Sequence, residues 1–136
     1  MSEENVEIVR RAIDALNRGD LDAWLGFLSP DVVWEALPGV PGVGELYRGR
    51  EEVREWIEGL WEVAEGGIVH TEIEQLTDLG DDRVFLAIVL TARGRGSGVP
   101  FEMPNWEVIW FSEGLVTRRQ IFWTRDEALE AAGLSE

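Results

Sequence analysis

The chain has 136 residues, 45% of them hydrophobic, and it carries a net charge of −15 with one histidine and no cysteine. This length predicts a single domain over 1–136, and the missing thiols exclude disulfides and thiolate metal sites and favour a cytoplasmic location. The negative charge argues against nucleic acid and anionic lipid as partners, and no apolar run approaches the roughly 20 residues that cross a bilayer.

Two short amphipathic helices are predicted at the start of the chain. Apolar residues at intervals of three and four indicate a helix over 3–18, which Gly19 ends. Asp20 can cap a second helix that continues to Leu28. The segment DVVWEA at 31–36 is strand-like, and the Pro- and Gly-rich stretch at 37–49 is predicted to be a loop that can rim a pocket.

The remaining sequence predicts a third helix, a sheet and a short last helix. Apolar spacing indicates a helix over 50–64, and from Ile68 the period becomes two. An antiparallel meander of four strands is expected over 68–78, 83–93, 101–112 and 115–123. The second strand is apolar on both sides, so helices should cover one face of the sheet and a second subunit the other. A capping box at Thr124 and Glu127 begins the last helix, which Gly133 ends.

Neither a metal ion nor a cofactor is predicted. A single histidine excludes a three-histidine metal cage, and no cluster of histidine and carboxylate residues has a recognisable ligand spacing. The glycine-rich segment GRGSG at 94–98 joins two antiparallel strands and does not open a helix, so it lacks the context of a nucleotide-binding loop.

Three stretches of the chain resemble the SnoaL-like branch of the NTF2-like superfamily, namely NRGDLDAWLGFLSPDVVWEALPG, YRGREEVREW and EGLVTRRQIFWTRDEALEAAGL. The resemblance implies an α+β fold, a cone-shaped α+β barrel with N-terminal helices packed on a strongly curved, mainly antiparallel sheet, and a homodimer formed through the outer face of that sheet. Members of this superfamily include isomerases, polyketide cyclases, epoxide hydrolases, dehydratases and non-catalytic binding domains. The resemblance therefore implies an apolar pocket but does not identify a reaction.

The ketosteroid isomerase branch offers the most informative comparison. When its motifs are laid on this sequence, its general-base aspartate falls at Ala36, its oxyanion-hole tyrosine at Ala12 and its oxyanion-hole carboxylic acid at Trp106. All three positions have lost the carboxyl or phenol group that abstracts the proton or stabilises the enolate in that reaction. The resemblance thus implies that the chain is not a ketosteroid isomerase.

Two charged residues are candidates for catalysis on the same alignment. It places Ala36 and Trp34 on the pocket wall, so strand alternation turns Glu35 to the other side, where it is interpreted as a structural acid. A register slip of one residue would instead bury Glu35 as a catalytic carboxylate. Arg119 lies four residues before Trp123 on the same predicted strand, so both side chains should point to the same face. The resemblance places Trp123 on the pocket wall. Arg119 could therefore bind an anionic oxygen in the cone, or it could pair with an acid near the strand end.

Two further candidates depend on strand register. Glu107 and Asn105 point to the opposite side of their strand from Trp106 and are expected on the outer, dimer-forming face. Both become site candidates only if the register differs, with Glu107 then a candidate base. His70 is expected on a solvent-exposed face, although histidine is also the usual general base near neutral pH. The expected pocket-lining residues are Trp34, Ala36, Trp56, Trp106, Trp110 and Trp123, with Tyr47 at the rim.

The sequence supports two hypotheses about function. In the first, the domain binds a small hydrophobic, cyclic molecule in an aromatic-lined cone and carries out cofactor-free isomerase, cyclase or hydrolase chemistry. In that version Arg119 stabilises developing negative charge and Glu35, Glu107 or His70 moves the proton. In the second, the domain is a non-catalytic ligand-binding or dimerisation module. A separate alternative to an open pocket is that the tryptophans fill the cone.

Overall fold

Helices packed on a curled sheet make up the part of the chain that the computed structural model describes, residues 2–35, 46–67 and 69–133. The helices are α1 (Ser2–Asn17), α2 (Leu21–Leu25), α3 (Gly49–Glu62) and α4 (Arg125–Ala131). The strands are β1 (Leu28–Glu35), β2 (Leu46–Arg48), β3 (His70–Gly80), β4 (Arg83–Arg93), β5 (Pro100–Ser112) and β6 (Leu115–Phe122). None of the helices in these ranges is long and apolar enough to span a membrane.

The six strands form one sheet in the order β2-β1-β6-β5-β4-β3. The meander from β3 to β6 is antiparallel, as predicted, and β1 joins it by parallel pairing with β6. β2 and β3 remain as the two edges, so the sheet is curled but is not closed into the barrel that the resemblance implied. β2 itself lies in the predicted loop, of which residues 37–45 lie outside the described ranges.

Local side-chain chemistry sets the helix ends that the sequence predicted. The backbone N–H of Ala23 donates to the Asp20 carboxylate at 3.1 Å, which caps α2. This helix ends at Leu25, earlier than predicted, because β1 already begins at Leu28. At α4 the Thr124 hydroxyl accepts from the N–H of Glu127 and the Glu127 carboxylate accepts from the N–H of Thr124, which completes the predicted capping box.

The hydrophobic core has two parts, one on each face of the sheet. The larger part lies between α1, α2, α3 and the inner face, and includes Val9, Val53 and Leu86. The smaller part lies on the outer face, where Phe85 and Ala87 of β4 pack against Ala128 of α4. Both faces of β4 are therefore covered, as its apolar sequence predicted, and α4 provides cover on the outer side. The homodimer remains a prediction.

Candidate functional site

A cavity of about 80 Å³ lies between the helices and the inner face of the sheet. Aliphatic residues of α1 and β4 form much of its wall, together with tryptophans from α2, β1 and α3. Among the described lining residues, only a few carry polar side chains other than the indoles: Thr71, Asn105, Glu107 and Arg119. An apolar cavity with a small polar cluster is typical of a small-molecule site.

The polar cluster is organised by an ion pair between β6 and β5. Arg119 donates from Nε to Glu107 Oε1 at 2.8 Å and from Nη2 to Glu107 Oε2 at 3.1 Å. The two side chains are only 4% and 5% exposed. Two parallel hydrogen bonds are the geometry that best repays the cost of removing both charges from water. The pair therefore places a neutralised but strongly polar group in an apolar environment.

Indole rings pack against the guanidinium of this pair. The Cζ atom of Arg119 lies 4.2 Å from the ring centroid of Trp34 and 5.2 Å from that of Trp56. Trp24 meets Trp34 edge-on, with ring centroids 5.3 Å apart. The electron-rich ring faces attract the cation, and the flat guanidinium stacks on them in a way that a lysine cannot reproduce. The aromatic wall thus fixes the orientation of Arg119.

Three buried polar atoms of the cavity wall have no hydrogen-bond partner among the described residues: Trp34 Nε1, Asn105 Oδ1 and Arg119 Nη1. Their residues are 3–6% exposed. Native proteins leave few such atoms unpaired, because each one costs about 1–3 kcal/mol of lost solvation. All three belong to residues that line one cavity.

The structure reverses the predicted orientation of Asn105 and Glu107, which lie on the inner face and not on the outer one. The reason is the pairing of β5 with β6, in which Ile109 is opposite Arg119 and Trp106 is opposite Phe122. Directly opposed residues point to the same side of a sheet. An inward Arg119 therefore brings Ile109, Glu107 and Asn105 inward and turns Trp106 outward. The sequence argument had oriented β5 from the aligned position of Trp106 alone.

Three tryptophans predicted to line the pocket lie elsewhere. Trp106 packs on the outer face with Phe85 and Ala87, next to α4. Trp110 also lies on that face, where the guanidinium of Arg118 stacks 4.7 Å from its ring centroid. Trp123 follows the end of β6 and is 49% exposed. Alternation along a strand shows which residues share a face but not which face is the inner one. Large apolar side chains also cover the outer face, so tryptophan content did not identify the pocket side.

The other predicted site residues are also spread over the fold. Glu35 lies on the outer face, as strand alternation predicted, and accepts from Arg118 Nε and Nη2 at 2.8 and 2.6 Å. His70 is exposed at the start of β3. Trp34 and Trp56 line the cavity; Tyr47 is not among the described lining residues, and its ring centroid lies 6.2 Å from that of Trp56. Ala36 lies outside the described residues.

Sequence reasoning missed Thr71 and expected Asn105 on the outer face, as a site candidate only if the register differed. The backbone N–H of Thr71 donates to Asn17 Oδ1 at 2.8 Å, and Asn17 Nδ2 donates back to the Thr71 carbonyl at 2.8 Å. This exchange joins α1 to β3 and fixes the end of the cavity. The sequence feature that could have found Asn105 is its position two residues before Glu107, which puts both side chains on the same face of β5.

No group of three or more histidine, aspartate or glutamate residues in the described ranges could hold a metal ion.

Comparison with known proteins supports the SnoaL-like resemblance seen in the sequence. The family model of the SnoaL-like domain matches residues 9–119. Bal32a, from a soil-derived mobile gene cassette, is 25% identical, with 88% of each chain covered and a TM-score of 0.76. TerC, co-crystallised with polyporic acid, is 18% identical, with 96% of this chain and 98% of that chain covered and a TM-score of 0.76. None of the curated proteins matches the sequence.

A third solved structure has a similar fold. It is a protein from Catenulispora acidiphila with a ketosteroid isomerase-like fold, in complex with trimethylamine. It is 21% identical, with 94% of this chain and 93% of that chain covered and a TM-score of 0.72. The helices packed on a curled sheet are thus the arrangement that these structures share, which confirms the predicted fold class.

Proposed function

The chain belongs to the SnoaL-like domain family, and we propose that it binds a small, largely apolar cyclic molecule in the cavity between its helices and its sheet. The observation that carries this proposal is the Arg119–Glu107 pair, which lies buried in an otherwise apolar cavity. Apolar walls supply affinity through the area they remove from water, and the few polar groups fix the orientation of the ligand. The polar end of the ligand lies against the ion pair.

The cavity volume limits the size of this ligand. A cavity of about 80 Å³ is roughly half of the ~150 Å³ of an engineered cavity that takes up benzene. A single ring therefore enters when wall side chains move outward, and the half-buried Leu60 and Trp61 of α3 are placed to do so. Sites for drug-sized molecules measure about 300–1,000 Å³. The proposal is thus for one ring and not for a polycyclic molecule.

A second candidate function is cofactor-free proton transfer on the same ligand, in an isomerase, cyclase or hydrolase reaction. One observation favours it: among the described lining residues Glu107 is the carboxylate, while Glu35 and His70 lie away from the cavity. Each Glu107 oxygen accepts one hydrogen bond from Arg119 and retains a lone pair for a substrate proton. Arg119 would then stabilise the negative charge that develops on the ligand.

Binding is tested by titrating the protein with single-ring compounds and following tryptophan fluorescence and heat. The informative variant is Ala12→Leu, because Ala12 lines the cavity and three added carbon atoms fill much of the available space. We expect saturable binding to the wild type and its loss in Ala12→Leu. The matched control is Ala131→Leu, at an exposed position of α4, which should bind like the wild type.

Two results would overturn the proposal. One is the absence of saturable binding for every ring compound tested. The other is equal affinity in the wild type and in an Ala12→Leu variant that unfolds cooperatively, because the ligand would then be bound outside the cavity. The proton-transfer candidate is tested separately, with Glu107→Gln, once a compound that binds and turns over is known.

A further inference from the structure

The unpartnered atoms of the cavity wall define what the ligand's polar group must offer. Trp34 Nε1 and Arg119 Nη1 are donors, and Asn105 Oδ1 is an acceptor. All three residues line the same cavity and each is more than nine-tenths buried. A complementary group must therefore accept at least two hydrogen bonds and donate one.

A hydroxyl group has this combination, because its oxygen accepts two hydrogen bonds and its hydrogen donates one. A ketone oxygen accepts two hydrogen bonds but donates none, so it leaves the Asn105 oxygen unpaired. An ether has the same deficiency. A carboxylate is an acceptor only and also adds a charge. Among these groups only the hydroxyl offers a hydrogen-bonding partner for each of the three atoms.

The charge balance of the cavity points to a neutral ligand as well. Glu107 compensates the charge of Arg119 through two hydrogen bonds, so the pair has no net charge left to attract an anion. No other ionisable side chain is among the described lining residues. A carboxylate ligand would enter this site without a counter-charge, which is costly in an apolar environment.

From these two observations we infer that the ligand class is a small cyclic alcohol, whose hydroxyl group accepts from Arg119 and Trp34 and donates to Asn105. The inference rests on the proposed function, since it names the polar end of the molecule that the cavity binds. It assigns Arg119 a neutral hydroxyl group in place of the anionic oxygen that the sequence analysis considered.

The test is a series of four compounds that share a six-membered ring: cyclohexanol, cyclohexanone, cyclohexanecarboxylate and cyclohexane. Dissociation constants are measured at pH 7 by calorimetry, or by competition where a compound is poorly soluble. We expect cyclohexanol to bind about tenfold more tightly than cyclohexanone, because the ketone leaves Asn105 unpaired. Cyclohexanecarboxylate should bind at least about a hundredfold more weakly than cyclohexanol.

Two variants separate the two parts of the inference. Asn105→Leu removes the acceptor and keeps the side-chain shape, so cyclohexanol should lose its advantage over cyclohexanone while the affinity for cyclohexane is retained. Glu107→Gln keeps a hydrogen-bond acceptor for Arg119 but leaves the guanidinium charge uncompensated, so the preference should shift from the alcohol towards the carboxylate. The matched control is Glu35→Gln, which makes the same change in the outer pair and should leave the four affinities unaltered.

The outcomes distinguish this inference from the proposal on which it rests. If none of the four compounds binds, the proposed function itself fails. If the rings bind but the wild type prefers the ketone or the carboxylate, the cavity is a binding site and the alcohol inference is wrong. The ranking of the four compounds in the wild type decides this even if a variant does not fold.

Discussion

Removing one partner of the Arg119–Glu107 pair should strongly destabilise the protein. In Glu107→Leu, the guanidinium keeps its charge but loses both of its hydrogen bonds to the carboxylate. Only 4% of its side chain is exposed, so water cannot replace them. Breaking a buried ion pair in this way costs about 3–5 kcal/mol. The stacking on Trp34 and Trp56 is present before and after the change, so it does not offset this loss.

The double variant Glu107→Leu/Arg119→Met should behave differently. Replacing both members of a buried pair by apolar residues is often neutral or stabilising by about 1–4 kcal/mol. The loss of the stacking between Arg119 and the indoles opposes this by about 1–2 kcal/mol. The two terms nearly cancel, so the double variant should lie close to the wild type in stability. In that case the pair is not retained for stability, which favours a role in ligand binding.

The assay is urea-induced unfolding at pH 7, followed by circular dichroism, with the denaturant slope checked for each variant. Glu35→Leu is the matched control, because it removes the carboxylate of the outer pair, where 27% of Glu35 and 45% of Arg118 are exposed. It should cost about 1 kcal/mol or less. A loss in Glu107→Leu no larger than in this control would refute the reasoning.

Two further predictions come from the structure and one from the family resemblance. Trp34→Phe removes the unpartnered indole N–H but keeps a ring, so calorimetry should show cyclohexanol binding weakened about fivefold and cyclohexane binding nearly unchanged; equal weakening of both would contradict this. Asp20→Ala removes the cap of α2 and should cost about 1 kcal/mol in urea unfolding, whereas an unchanged midpoint would show that the cap is dispensable. Sedimentation equilibrium should give twice the 15.3 kDa chain mass if the predicted homodimer forms, and a single-chain mass would exclude it.

The helices and most strands could be predicted from the sequence because their signals are local. Apolar spacing, the Asp20 cap and the Thr124 capping box each act within a few residues, and the structure contains all of them. Strand β2 could not be predicted, since three residues between a glycine-rich stretch and a helix carry no period. It exists because Tyr47 and its neighbours pair with β1.

The arrangement of the candidate site could not be predicted from single segments, because it depends on how strands distant in sequence are paired. Alternation placed Trp34 and Glu35 correctly, since these two residues needed only one reference point on β1. Glu107 was placed on the wrong face because the facing of β5 is decided by its register with β6, and Trp106 is as large and apolar as a cavity residue. The partner of Arg119 could therefore be found only after the two strands were paired.

The seam between β1 and β6 has a property that concerns folding more than binding. Trp34 is opposite Arg119 on the inner face, and one residue further along β1, Glu35 holds Arg118 on the outer face, 83 residues away in the chain. A slip of one residue would turn every side chain to the other face and break both contacts together. The two contacts, one on each face, therefore favour the same register of β1 against β6. A chain paired one residue out of register forms neither contact, so it must separate and pair again to gain them.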